Sequence, residues 1–229
     1  MTTFDDLRNA IDSLLSLPSV HSPLRLNSST CERAYEVYVL GLCVEAVRRA
    51  GGIDPIPTGI RTGSRPSEMV FRGAPGDMWC RTQDFCYMDC TIGSKHFEIH
   101  VDVEYEGSSG ATHEIDISIC EKKYCEKVRS SIAKILPKNS KSIIVILECK
   151  FYENSTPKVS LARTFVGLLN DFNKPRLAGF ISNVTTPGLK NYLAKDPRPK
   201  PFHPQPFDRN SEEAFIEHVK HVLERWAKI

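Results

Sequence analysis

Apolar residues recur along this chain with two different periods, and the change of period marks out its elements. Phe4, Leu7, Ile11, Leu14 and Leu15 fall three or four residues apart, which predicts an amphipathic helix over Phe4 to Leu15, with Thr3 as its N-cap and Pro18 beyond its end. A second helix is expected from Ser29, where Ser29 and Glu32 have capping-box spacing, through a long, largely apolar stretch to Gly51-Gly52. The next segment, Asp54 to Gly76, is rich in Gly, Pro, Ser and Arg and reads as loop, with a short extended piece at Met69 to Phe71.

From Trp79 to Ile119 the period shortens to two. Phe97, Ile99, Val101, Val103 and Tyr105 alternate with Glu98, His100, Asp102 and Glu104, so one buried and one wet strand face are expected. After the turn-rich Gly107 to Gly110, Ile115, Ile117 and Ile119 repeat the alternation, predicting a hairpin. Helical spacing returns at Tyr124, Val128, Ile132, Ile135 and Leu136, before Pro137. The five aliphatic residues Ile143 to Leu147 then form a short β-branched run, the mark of a strand covered on both faces. Beyond it, a helix is expected over Val159 to Phe172, a strand over Leu177 to Val184, a short helix over Gly188 to Ala194, and a proline-rich connector from Pro197 to Pro206. A last helix is expected to open at Asn210 with Glu213, its stripe made by Phe215, Val219, Val222 and Trp226. Helices alternating with a mixed sheet predict an α/β fold.

Composition narrows the picture only a little. Charged residues are 25% and hydrophobic residues 41%, ordinary for a globular chain and unlike a disordered or fibrous one. The length of 229 residues suits one domain. No stretch approaches the roughly 18 consecutive apolar residues that cross a bilayer, and the N-terminus lacks a basic region followed by an apolar one, so no membrane association and a cytoplasmic location are expected. The net charge of +2 is too mild to announce nucleic acid, although basic residues cluster at Arg48-Arg49, at Arg61, Arg65 and Arg72, from Lys122 to Lys141, and at Lys195, Arg198 and Lys200. None of the eight cysteines forms a CxxC pair, and buried reduced thiols account for them better than a zinc or iron-sulfur site does.

The chemistry concentrates where the aliphatic run stops. Ile143 to Leu147 leads directly into Glu148-Cys149-Lys150, and side chains alternate along a strand, so Glu148 and Lys150 emerge on one face and Cys149 on the other. Upstream lies a second acidic strand segment, His113-Glu114-Ile115-Asp116. On the second helix, Glu36 shares a face with Leu40, Cys43 and Val47, where a carboxylate is costly unless paired or metal-bound, whereas Glu45 points away with Arg48 and Arg49.

A helix glutamate, a strand aspartate and a buried strand ending in Glu148-Cys149-Lys150 together resemble the PD-(D/E)xK nuclease superfamily, from about Glu32 to Val184. The resemblance implies a restriction-endonuclease-like mixed central sheet flanked by helices, with N- and C-terminal helical additions: a core of about residues 29–184 and a C-terminal helix over 210–229 packed on it. It also implies a magnesium-dependent nuclease acting on DNA, with RNA as a further candidate substrate and manganese able to substitute. Its setting would be restriction or anti-phage defence. Asp116 and Glu148 would bind the metal with the backbone carbonyl of Cys149, Lys150 would assist the attacking water, and Glu36 would support them. Specificity would come from a partner, a homodimer or a larger defence complex, because no zinc-finger or helix-turn-helix pattern is visible. Three departures stand out. The helix expected after the Glu148-Cys149-Lys150 strand lacks, over Val159 to Leu169, the glutamine that many modification-dependent relatives carry there. Ile115 occupies the place of the family's usual proline, and the connection from Asp116 to Glu148 is long and contains an expected helix. The alternative is a nuclease-like fold that binds nucleic acid or assembles with partners without catalysis.

Overall fold

The computed structural model describes residues 2–15, 24–25, 30–130, 142–172, 174–195, 197 and 199–228. Among these, six helices and nine strands alternate: α1 (Phe4–Leu15), β1 (Leu24–Arg25), α2 (Cys31–Arg49), β2 (Ile53–Gly59), β3 (Met69–Val70), β4 (Cys86–Ile92), β5 (Lys95–Glu106), β6 (Thr112–Glu121), α3 (Lys122–Ser130), β7 (Ile143–Lys150), α4 (Val159–Asn170), β8 (Leu177–Ser182), α5 (Pro187–Leu193), β9 (Lys200–Phe202) and α6 (Arg209–Ala227). Seven strands make one sheet in the order β2-β4-β5-β6-β7-β8-β9. It is antiparallel from β2 to β7 and parallel from β7 to β9, a mixed α/β sheet as expected. Strands β1 and β3 form a separate parallel pair.

The helices divide between the two faces. One core unites α1, α2 and α6 with Ile99, Val101, Ile117, Ile119, Val145 and Leu147 of the sheet. The other lies under α3, α4 and α5 and includes Val103, Tyr105, Ile143, Ile146 and Phe180. Helix α2 sits innermost on the first face and is buried nearly all round, because α1 and α6 cover its outer side. Its C-terminus closes as a Schellman motif: Gly52 N–H donates to the Val47 carbonyl and Gly51 N–H to that of Arg48, with Gly51 at φ +75°. Thr3 caps α1 as expected, its hydroxyl accepting from Asp6 N–H.

Several expectations need correction. The N-cap of α2 is Thr30, one residue later than expected, and Ser29 lies outside the described residues. The N-cap of α6 is Asp208, whose carboxylate accepts from Asn210 N–H, so Asn210 is already helical. The tail of the helix expected through Leu136 lies outside the described residues, as does Pro18. Residues 53–59, read mostly as loop, form β2. This strand tolerates Pro55 and Pro57 because it is the sheet's edge, pairing only with β4, so a missing N–H costs no rung on its outer side. Within the proline-rich connector, Lys200–Phe202 pairs with β8 as the opposite edge.

The largest correction concerns the polar face of β5. Glu98, His100 and Asp102 are almost completely buried, not wet. Helix α3 crosses the outer part of that face and brings Arg129 to Glu98, with two bonds of 2.6 Å. The second oxygen of Glu98 also meets His100 Nε2 at 2.8 Å. Alternation distinguishes two strand faces but does not say that the second one is uncovered; distant cations make its burial tolerable.

Candidate active site

The long connection after Asp116 does not separate the two acidic strands. It covers one sheet face with α3 and returns β7 antiparallel to β6. The paired residues of β6 and β7 reach Ile117 and Leu147 and stop there. Beyond this point Glu148, Cys149 and Lys150 pair only with β8, opposite Phe180, Ile181 and Ser182. Asp116 supplies the next link with its side chain: its Oδ2 accepts the Cys149 N–H at 2.7 Å. The strands are thus held together while their ends open into a pocket of about 370 Å³, lined by Arg33, Glu36, Glu114, Asp116, Lys150 and Tyr152 among others.

Lys150 joins the expected residues. Its Nζ lies 3.1 Å from Asp116 Oδ2 and 2.8 Å from Glu148 Oε1, and it also donates to the Cys149 carbonyl at 3.0 Å. Burial works against the ammonium, yet the two carboxylates more than offset it and hold its pKa above the usual lysine value. Glu36 reaches the same pocket from α2 and faces Asp102, a residue read from the sequence as solvated strand surface. Ligand oxygens of Glu36, Asp102 and Asp116 all lie within 4.8 Å of one another. Glu148 stands beside this trio rather than in it, tied to Lys150.

Asp102 reaches the centre through a backbone irregularity. Its φ is +50°, in the left-handed region that aspartate tolerates better than most residues. The β5–β6 ladder pairs Val101 with Ile117 and Val103 with Ile115, so Asp102 lies across from Asp116 without a ladder rung between them. There β5 also acquires another neighbour, as Gly76 N–H donates to the Asp102 carbonyl and Glu104 N–H donates to that of Gly76. The signal that could have found Asp102 was in the hairpin register, which sets the two aspartates opposite each other.

These carboxyls crowd one another. Burial, then the neighbouring Asp102 and Asp116, pushes Glu36 up to about 8 despite Arg33. Burial also raises Asp102 to about 7, and burial with Asp116 raises Glu148 to about 7. Hard oxygen donors with surplus negative charge suit a divalent cation such as magnesium. A second grouping of ligand types among the described residues, Glu98, His100 and Cys125, is the poorer metal site, because Arg129 takes both Glu98 oxygens in paired bonds of 2.6 Å and His100 shares one of them. His113 is turned to another task, its Nε2 lying 2.7 Å from Asp171 Oδ2.

No protein-family model, curated protein or solved structure matches this chain. The functional reading therefore rests on the geometry. No helix among the described residues is long and apolar enough to cross a membrane.

The raised carboxyls carry a pH signature. A carboxyl whose folded pKa exceeds its unfolded value holds its proton longer in the native state, so rising pH costs stability between the two values. For Glu36 that window runs from its ordinary value of 4.5 to about 8. In protein stripped of divalent ions, Glu36→Gln is expected to gain on the wild type by a few kcal/mol as pH rises from about 5 to about 8. Urea unfolding of both proteins across that range checks it; a constant difference would contradict a raised Glu36.

Proposed function

We propose that this chain is a magnesium-dependent nuclease of the PD-(D/E)xK type with a restriction-endonuclease-like fold, cleaving phosphodiester bonds of DNA. The observation that carries the reading is Lys150 Nζ held between Asp116 and Glu148 at the open ends of adjacent strands, beside the carboxylates of Glu36 and Asp102. Asp116, Glu36 and Asp102 would hold the metal, with Glu148 and the Cys149 carbonyl at its margin. Bound magnesium would neutralise the phosphate and lower the pKa of a coordinated water, and manganese would supply the same chemistry.

The chain's own residues have separate tasks. Lys150 is fixed by two anions and by its neighbour's carbonyl, so its charge is already aimed into the pocket when a phosphodiester arrives, where it stabilises negative charge on the attacking oxygen. The Cys149 N–H fixes one oxygen of Asp116 and leaves its carboxylate directed at the trio. Glu36 is oriented by α2, whose burial leaves the helix little freedom to shift. A neighbouring hollow of about 600 Å³ shares Glu32, Phe151 and Tyr152 with the first and would give the substrate room to approach. Restriction or anti-phage defence is the setting that this reading suggests, with sequence choice supplied by a partner, a homodimer or a larger complex.

The test is incubation of purified protein with supercoiled plasmid, and in parallel with single-stranded RNA, in magnesium, in manganese and in EDTA. Nicked or linear DNA is expected with either metal and none in EDTA. Intact plasmid and intact single-stranded RNA under all three conditions would remove the nuclease reading.

A further inference from the structure

The pocket contains a cation of its own. Arg33, one turn before Glu36 on α2, places a single nitrogen, Nη1, 3.0 Å from both Glu36 oxygens and 3.1 and 3.2 Å from the two Asp102 oxygens. Nη1 carries only two protons, so it cannot give a well-aligned hydrogen bond to all four acceptors. The arrangement is that of a positive charge centred among anions rather than of the paired, parallel bonds by which arginine usually fixes a carboxylate. Glu98 and Arg129 show that fixed form elsewhere in the same protein, each guanidinium nitrogen taking one carboxylate oxygen at 2.6 Å.

Burial separates the partners. The Glu36 and Asp102 side chains are 8% and 0% exposed, whereas that of Arg33 is 28% exposed and lines the pocket. The carboxylates are held in the interior, whereas the Arg33 side chain is partly exposed along the pocket wall. We infer that Arg33 is a displaceable counter-ion of the carboxylate centre: it occupies the place between Glu36 and Asp102 until a divalent cation binds there, and it then swings to the pocket mouth, where it meets the anionic backbone of the substrate. This rests on the metal-centre reading above and adds to it a residue that opposes metal binding and favours phosphate binding.

The probe is manganese, titrated calorimetrically into the full chain, with melting temperatures measured in EDTA. Arg33→Met keeps the length of the aliphatic stem and removes the charge. It is expected to bind manganese at least about tenfold more tightly than wild type, since one opposing charge at contact distance is gone, and to melt lower in EDTA because the carboxylates lose their counter-ion. Arg33→Lys keeps the charge and is expected to return both values toward wild type. A measurement on the wild-type chain avoids dependence on the folding of Arg33→Met: the Arg33 Nε–Hε NMR resonance, assigned by its absence from the Arg33→Lys spectrum, is expected to shift on magnesium titration. Manganese binding to wild type with equal or weaker binding to Arg33→Met, or magnesium binding that leaves the resonance unmoved, would overturn the role of Arg33 while leaving the metal centre standing. No heat from any of the proteins would instead remove the metal centre and the displacement together.

Discussion

Asp116→Asn is expected to reduce plasmid cleavage in magnesium by about a thousandfold or more, with Lys150→Ala losing about a hundred- to a thousandfold, the scale of removing a preorganised charge from a transition state. The asparagine variant is the cleaner of the two. Its side-chain oxygen can still accept the Cys149 N–H that Asp116 accepts at 2.7 Å, so the strand ends remain joined while the negative charge is lost. Lys150→Ala removes the ammonium between Asp116 and Glu148 and brings those carboxylates into direct repulsion. Circular dichroism and melting temperature must accompany both assays, and the asparagine variant should melt close to wild type. Cleavage at wild-type rate in both variants would sink the assignment of this pocket as the active site.

The largest effect on stability is expected away from the pocket, at Arg129. Glu98 is fully buried, and although burial favours its neutral form, Arg129 and His100 hold its pKa down to about 2. Removing one partner of a buried ion pair leaves the other charge uncompensated, which costs about 3–5 kcal/mol. Arg129→Ala should therefore lower the unfolding free energy at neutral pH by that amount, read from urea denaturation. A carboxylate with a depressed folded pKa contributes stability above its unfolded value that is lost as pH falls; in wild type that loss runs from about pH 4.5 toward about pH 2. In the variant Glu98 protonates earlier, so the gap between the two proteins should narrow on acidification. The double variant Arg129→Met with Glu98→Leu should recover much of the loss, because an apolar pair leaves no buried charge. A loss under about 1 kcal/mol in Arg129→Ala would mean that water reaches Glu98 freely.

The contrast between these two regions shows what could be read from the chain. The run Ile143 to Leu147 is apolar on both faces, so its burial and the emergence of Glu148 and Lys150 at its end were legible. Glu36 was legible for a similar reason, as a charge on a helix face otherwise occupied by Leu40, Cys43 and Val47. Asp102 was not, because it shares its alternating pattern with Glu98 and Glu104, and that pattern describes a wet face equally well. Its burial depends on Arg33, sixty-nine positions away, which supplies the compensating charge. Glu98 depends in the same way on Arg129. Edge strand β2 was hidden by Pro55 and Pro57, which argue against a strand unless its edge position is already known. The missed features share one cause: each is set by pairing with another segment of the chain, which periodicity within one segment does not register.

Helix α2 carries a consequence for the order in which the pocket can be completed. The hydroxyl of Tyr35 donates to the Pro204 carbonyl at 2.9 Å and that of Tyr38 to Glu212 at 2.7 Å, one residue before and two after Glu36. During synthesis, a nascent chain that has emerged as far as Lys150 already contains every carboxylate of the pocket, yet it lacks both acceptors that anchor the helix around Glu36. The segment that carries Pro204 and Glu212 has to be made before these two anchors on α2 can form, so the pocket is fixed by residues that follow all of its carboxylates in sequence.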